Sequence, residues 1–314
     1  MNTKRRHLRE SSTRIALRSL ATGIAVILQL GLAGCGANYP ELSKIRGQMA
    51  TEQLDVAEPV ANSVGMILVP IPAGEFQMGT AVSAGDGKKK VQQPPGAEAE
   101  QPQHKVRITK TFLMSICEVT QGQYEAVMNE SPWKEQPLTR EGKHIAATYI
   151  SWEQAQAFCK ALSELENATY RLPTEAEWEQ ACRAGTTTAF SFGDDGKQLG
   201  EYAWFDENAY KAGGQYAHAV GQKLPNAWSL YDMHGNTWEW CSDFHGSYGE
   251  QTKKAKGDVL VDPIGPEKGS QHVWRGGGFS ENGVNLRSAS RNSYGRVDYR
   301  PEFMAGFRVV KEVT

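Results

Sequence analysis

The side chains best equipped for chemistry in this 314-residue sequence are its cysteines, a few histidines set among acids, and a run of arginines near its end. Cys117, Cys159, Cys182 and Cys241 lie in the body of the chain. A pair of thiolates, being soft ligands, could hold Cu(I), and a single thiol could exchange with a disulfide. No CxxC or Cys/His cluster carries zinc spacing, and four thiols allow three pairings among which sequence does not choose. His234, Asp243 and His245 carry the donors of a metal or acid–base site, although solvated loop histidines are the plainer reading. No nucleophile elbow stands out. Between Arg275 and Arg308, six arginines against three acids leave the segment three charges positive. Tyr294 and Tyr299 interleave there with Arg296 and Arg300, and tyrosine and arginine are the residues most enriched at binding hot spots.

The body of the chain must position these groups. A net charge of −2 and 39% hydrophobic residues describe an ordinary globular protein and give no basis for nucleic-acid binding. Residues 1–35 read as a targeting segment. A basic stretch from Lys4 to Arg18 precedes an uncharged, mostly apolar run from Leu20 to Leu32, too short to span a bilayer. It ends in Leu32-Ala33-Gly34-Cys35, which looks like a bacterial lipobox with Cys35 as the lipid-bearing residue. Gly36, not an acid, follows it, which favours the outer membrane of the cell envelope. Residues 36–64 are polar and aperiodic and read as a flexible tether, leaving 65–312 for one domain.

Three capping boxes mark helix starts in that domain, each a hydroxyl with Gln or Glu three residues on. Thr120 with Gln123 opens a helix through Met128. Ser151 with Gln154 opens one through Leu165, with Ala155, Phe158, Leu162 and Leu165 on one face. Thr174 with Glu177 opens a third, which Gly185 is placed to end. Met66–Pro72 and Glu75–Gly79 read as short strands around a Pro-Ala-Gly turn, and Val106–Ile108 and Phe112–Met114 as further strands. Residues 80–103 read as a flexible surface loop. From Ala203 onward the chain reads as turns and short strands.

Three long motifs stand in order: Arg171-Leu-Pro-Thr-Glu-Ala-Glu-Trp-Glu179, Gly235-Asn-Thr-Trp-Glu-Trp240, and the segment from Arg275-Gly-Gly-Gly-Phe279 to Gly306-Phe-Arg308. With them the chain resembles the sulfatase-modifying-factor family, whose type member is the formylglycine-generating enzyme. The resemblance covers roughly Gly65 to Val310. It implies an α+β, C-type-lectin-like fold with few helices, short strands and long ordered loops. It also makes Trp178, Trp238 and Trp240, with Arg275, Arg291 and Arg308, parts of the framework.

The family's enzyme works through two cysteines in a Gly-Gly-Ser-aromatic-x-Cys-x4-Cys pattern. Counting along this chain puts Gly278 at the serine, Glu281 at the first cysteine and Leu286 at the second. Copper is therefore not expected, since a carboxylate is a hard ligand and leucine is none. Related enzymes also pair the positions of Cys159 and Cys182 with C-terminal cysteines, here Val309 and Ser288. The resemblance implies a structural calcium held by the carboxylates of Asp232 and Glu239 and the carbonyls of Gly235 and Thr237, oxygen donors that suit a hard cation. The bland alternative is a capped turn. Related non-enzymatic variable proteins bind diverse partners on the face that carries the enzyme's groove. The expectation is thus a lipid-anchored envelope protein that binds an unknown protein or small molecule through Gly278, Glu281, Tyr294, Arg296, Tyr299 and Arg300. The alternative is an oxidase of the same family.

The lipobox reading is directly testable. A fatty-acid analogue should label the wild-type protein and not Cys35→Ala, and equal labelling of the two would refute it.

Overall fold

A computed structural model describes Ile45 and residues 58–81, 96–254, 258–293 and 304–313. Cys35 lies outside these residues. All three capping boxes form. Thr120 caps α1 (Gln121–Met128), Ser151 caps α2 (Trp152–Glu166) and Thr174 caps α3 (Glu175–Arg183), each hydroxyl accepting the N3 amide while the N3 side chain reaches back. Each helix ends on a left-handed residue, Asn129, Asn167 and Ala184, which lets orphan carbonyls find donors. On α2 the buried face is Ala155, Phe158, Cys159 and Leu162. Leu165 is 58% exposed, because the last turn before the Asn167 cap projects beyond the core.

The strands form three small sheets. The first runs β1 (Val60–Ala61), β2 (Ile67–Ile71), β5 (Phe112–Ser115), β12 (Val310–Glu312), β6 (Tyr170–Arg171). The second runs β10 (Arg291–Ser293), β9 (His272–Arg275), β7 (Trp238–Phe244), β11 (Ala305–Gly306). The third runs β3 (Gly74–Met78), β4 (His104–Ile108), β8 (Val259–Val261). β2 and β3 are sequence neighbours in different sheets, so the Pro72-Ala73-Gly74 turn redirects the chain instead of closing a hairpin. β12 sits between β5 and β6 and thereby stitches the end of the chain into the first sheet. Two short helices, α4 (Leu199–Tyr202) and α5 (Tyr248–Lys254), follow α3 in the chain. None of the described helices is long and apolar enough to cross a membrane.

Two segments read as loose by composition are partly packed. Val60–Ala61 pairs with β2, and Ile45 is fully buried with the core, both inside the 36–64 stretch. Ala97–Glu100 forms a 3-10 turn with Ala97 and Glu100 buried, inside the 80–103 stretch. The cause is an ion pair no local pattern reveals: both Glu100 oxygens accept from Arg287, at 2.7 Å each.

That pair belongs to a set of buried glutamate–arginine contacts that tie the C-terminal motifs to the rest. Arg308 donates to both oxygens of Glu239, at 2.6 and 2.7 Å, and also to the carbonyls of Ser115 and Tyr231. Arg275 and Arg183 both bond Glu179, while Arg291 grips Glu175 at 2.6 and 2.7 Å. Trp178 donates its indole N–H to Glu239 at 2.7 Å and Trp240 donates to the Ile150 carbonyl at 2.8 Å. The framework expected of these arginines and tryptophans is thus present. Deleting one partner of such a pair strands a buried charge, at a cost of about 3–5 kcal/mol. Arg308→Met should lower stability by about that much in chemical denaturation. Lys105→Met, which breaks an exposed pair with Glu75, should cost under about 1 kcal/mol. Equal effects would contradict this account.

Candidate ligand-binding groove

The residues that replace the family's thiols are built into the fold in different ways. Gly278 is buried, and a Cβ there would lie 2.5 Å from the Met304 sulfur, so the serine of the family pattern has no room while Met304 stays in place. Ser280 donates its hydroxyl to that sulfur at 3.0 Å. Leu286 is fully buried with Phe190, Leu199, Ala203 and Phe205 in a small satellite core. The second thiol position has therefore become packing. Glu281 remains half-buried and polar. Its Oε1 accepts from the Trp238 indole at 3.3 Å and its Oε2 from the Asn285 amide at 2.8 Å. The Glu281 amide donates to the Gly278 carbonyl, and its own carbonyl accepts from the Asp206 amide, so the backbone is fixed as well. Tyr294, Arg296, Tyr299 and Arg300 lie outside the described residues. Arg287, one of the six arginines of this segment, is buried on Glu100. The four cysteines of the domain are all buried, so none supplies an accessible thiol to this face. Burial pushes the thiols of Cys159 and Cys182 up to about 12.

The turn at Asp232 carries the expected calcium ligands. Asp232 and Asn236 adopt left-handed backbone, and Gly235 has φ 128°. A Cβ on Gly235 would meet the Trp204 carbonyl at 2.3 Å, which explains the glycine. Asp232 Oδ2 accepts from the Gly221 amide at 2.6 Å, while its Oδ1 is buried without a partner. Glu239 is placed differently: Arg308 and Trp178 use both its oxygens. The Gly235 carbonyl accepts the Thr237 amide. Of the two expected carboxylate ligands, Asp232 thus keeps an oxygen without a donor, whereas both Glu239 oxygens already accept from Arg308 or Trp178. The carboxylate that does meet this turn is Glu118, which accepts from Asn236 and Thr237 and whose Oε2 is also an unpartnered buried oxygen. Burial and then the nearby Asp232 push the Glu118 carboxyl well up, and burial pushes Asp232 up to about 6. Sequence had no means of finding Glu118, which lies more than a hundred residues from the turn.

His234, Asp243 and His245 form no metal-competent cluster among the described residues. His234 is buried, not solvated. Its Nε2 accepts from the Ser191 amide at 3.1 Å and meets the Ser191 hydroxyl at 2.8 Å, so Nδ1 carries the hydrogen donated to the Leu286 carbonyl at 2.8 Å. Burial holds its pKa down to about 4, so the ring is a neutral strut beneath the Leu286 turn. Asp243 caps the start of α3, its Oδ2 accepting from the Glu175 amide at 2.9 Å. Burial, then the Glu175 carboxylate, push its pKa up to about 7. A carboxyl whose pKa is raised by folding contributes stability below its unfolded value, near 4, and loses it as the pH rises through 7. Between those limits, wild-type stability should fall relative to Asp243→Asn by up to about 1.4 kcal/mol per pH unit. Parallel urea melts of the two proteins at several pH values would test this, and identical slopes would exclude it.

Similarity to known proteins agrees with the geometry. The model of the sulfatase-modifying factor enzyme 1-like domain matches residues 53–313. The formylglycine-generating enzyme of Mus musculus is 26% identical over 314 residues, covering 79% of this chain and 78% of its own length. That of Thermomonospora curvata is 30% identical over 177 residues, 49% of this chain and 55% of its own. Among solved structures, Treponema denticola variable protein 1 superposes with a TM-score of 0.64 at 25% identity, covering 79% of this chain and 95% of its own. PvdO from Pseudomonas aeruginosa gives 0.63 at 26% identity, with the same coverage. With an α+β fold of few helices and short strands like theirs, this chain belongs to the sulfatase-modifying factor family.

Proposed function

We propose that this chain is an envelope lipoprotein whose domain binds a ligand or protein without formylglycine chemistry. One observation carries the reading. Of the two positions at which the family's enzyme holds its working thiols, one is the carboxylate Glu281 and the other is Leu286, wholly absorbed into a core. Formylglycine generation needs a thiol to engage the substrate and a soft site for Cu(I). The buried cysteines elsewhere supply neither to this face. What remains at this face is a half-buried carboxylate oriented by two donors, a placed polar group of the kind that fixes a bound ligand. The binding face comprises Gly278 and Glu281 together with Tyr294, Arg296, Tyr299 and Arg300, and Cys35 anchors the protein to the membrane.

A second reading is an oxidoreductase of the same family acting without the thiol pair: the Glu281 carboxylate, oriented by two donors, would take the proton from a bound substrate while an external oxidant such as dioxygen takes the electrons. Incubation of the purified domain with copper and a cysteine peptide of the sulfatase type separates formylglycine chemistry from both readings. No aldehyde should form above a copper-only control. Aldehyde formation by the wild type above that control would overturn the binding-module reading.

A further inference from the structure

We propose that Glu118 is a ligand of a structural calcium ion, in the role that the family resemblance gives to Glu239. The inference concerns the interior of the domain and stands whether or not the face at Glu281 binds a ligand. It starts from two orphaned oxygens. Glu118 and Asp232 are each 1% exposed, and Glu118 Oε2 and Asp232 Oδ1 are both buried without a donor. The two side chains lie within hydrogen-bonding reach of one another, so carboxyls from distant parts of the chain meet inside the domain. Their other oxygens are in use. Glu118 Oε1 accepts from the Asn236 amide group at 3.0 Å and the Thr237 hydroxyl at 3.3 Å, and Asp232 Oδ2 accepts from the Gly221 amide at 2.6 Å. Neither carboxyl can turn its orphaned oxygen to water without breaking those bonds.

A buried acceptor without a donor is costly, and more so when charged. Here two stand together with like charge. The neighbouring cations are committed elsewhere. Arg308 directs all three of its nitrogens to Glu239 and to the carbonyls of Ser115, Ile116 and Tyr231. The Lys223 ammonium donates to the Gly200 carbonyl at 2.7 Å and sits 4.0 Å from the centre of the Trp204 ring. A divalent cation held between Glu118 and Asp232 would answer both charges at once. The donors are all oxygen, which suits a hard cation, and they are buried, which favours calcium over magnesium, an ion that keeps several waters. The Gly235 and Thr237 carbonyls of the same turn would complete the set. The Gly235 carbonyl accepts the Thr237 amide and keeps a second lone pair. Glu239 would have to release Arg308 or Trp178 to serve. Two carboxylates with carbonyls differ from a cluster of three or more acid, histidine or cysteine ligands, of which the described residues hold none.

The test uses the full-length protein purified in detergent, stripped with a calcium chelator and returned to metal-free buffer or to millimolar calcium. Bound calcium is counted by plasma mass spectrometry, and stability is read from thermal melts. The wild type should hold about one calcium per chain and melt higher with it, since an ion that binds only the folded state stabilises that state. Glu118→Gln should bind calcium roughly tenfold more weakly or worse, and its melt should hardly respond to calcium. In metal-free buffer it should be as stable as the wild type or more so, because one of two facing charges is gone. Glu239→Gln strands Arg308 and should melt lower in both buffers, yet keep the response to calcium. A Glu118→Gln protein that keeps the wild-type calcium content and response would overturn the inference, whatever Glu239→Gln does. So would a wild type that binds no calcium and melts alike in both buffers, the two carboxyls then sharing a proton. If Glu239→Gln does not fold, the wild type and Glu118→Gln decide alone.

Discussion

Buried arginine–glutamate pairing is the constraint on which this fold rests. Glu175, Glu179 and Glu239 are each essentially buried, and each is answered by an arginine from the C-terminal motifs, Arg291, Arg275 and Arg308. Burial alone would push the Glu179 carboxyl up, yet Arg183 and Arg275 outweigh it and hold it below the ordinary range. Such pairs add little net stability over an apolar replacement, but a broken one is severely destabilising. Their effect is to specify an arrangement. Helix α3 and strand β7 can accept the last forty residues in one register, because any other leaves a charge unpaired in the interior.

That constraint uses up four of the six arginines in the positive C-terminal segment. Arg275, Arg291 and Arg308 are consumed internally, as is Arg287 by Glu100. Their charge is not available to a ligand, so the formal excess of arginine in this segment overstates how positive its surface is. A ligand sees what the interior leaves unspent, not the composition of the segment.

The replacements at the family's catalytic positions are also mutually consistent. Gly278 gives Met304 the space a serine would occupy, Leu286 fills a satellite core, and neutral His234 supports the Leu286 carbonyl from below. Packing of this kind tolerates little change in volume. Restoring the two cysteines would therefore not by itself restore a working thiol pair, since the second would stand in a closed apolar pocket. The loss of thiols is built into the surrounding structure and is not a pair of isolated substitutions.

Local order was legible in the chain itself. The three capping boxes fall where Thr120, Ser151 and Thr174 put them, because a hydroxyl and a Gln or Glu three residues apart satisfy their amides without help from the rest of the fold. The long motifs likewise carried the family, the framework tryptophans and the missing thiols. What the chain could not disclose alone were groups whose partners lie far along it. Glu100 inside a stretch of polar composition, Glu118 at the Asp232 turn, the commitment of Glu239 to Arg308, and the exposure of Leu165 all depend on contacts between distant elements. Side-chain type and spacing determine which hydrogen bonds a segment can make with itself. Only the tertiary structure decides which buried charge meets which, because that choice is made by the cost of leaving any one of them unpaired.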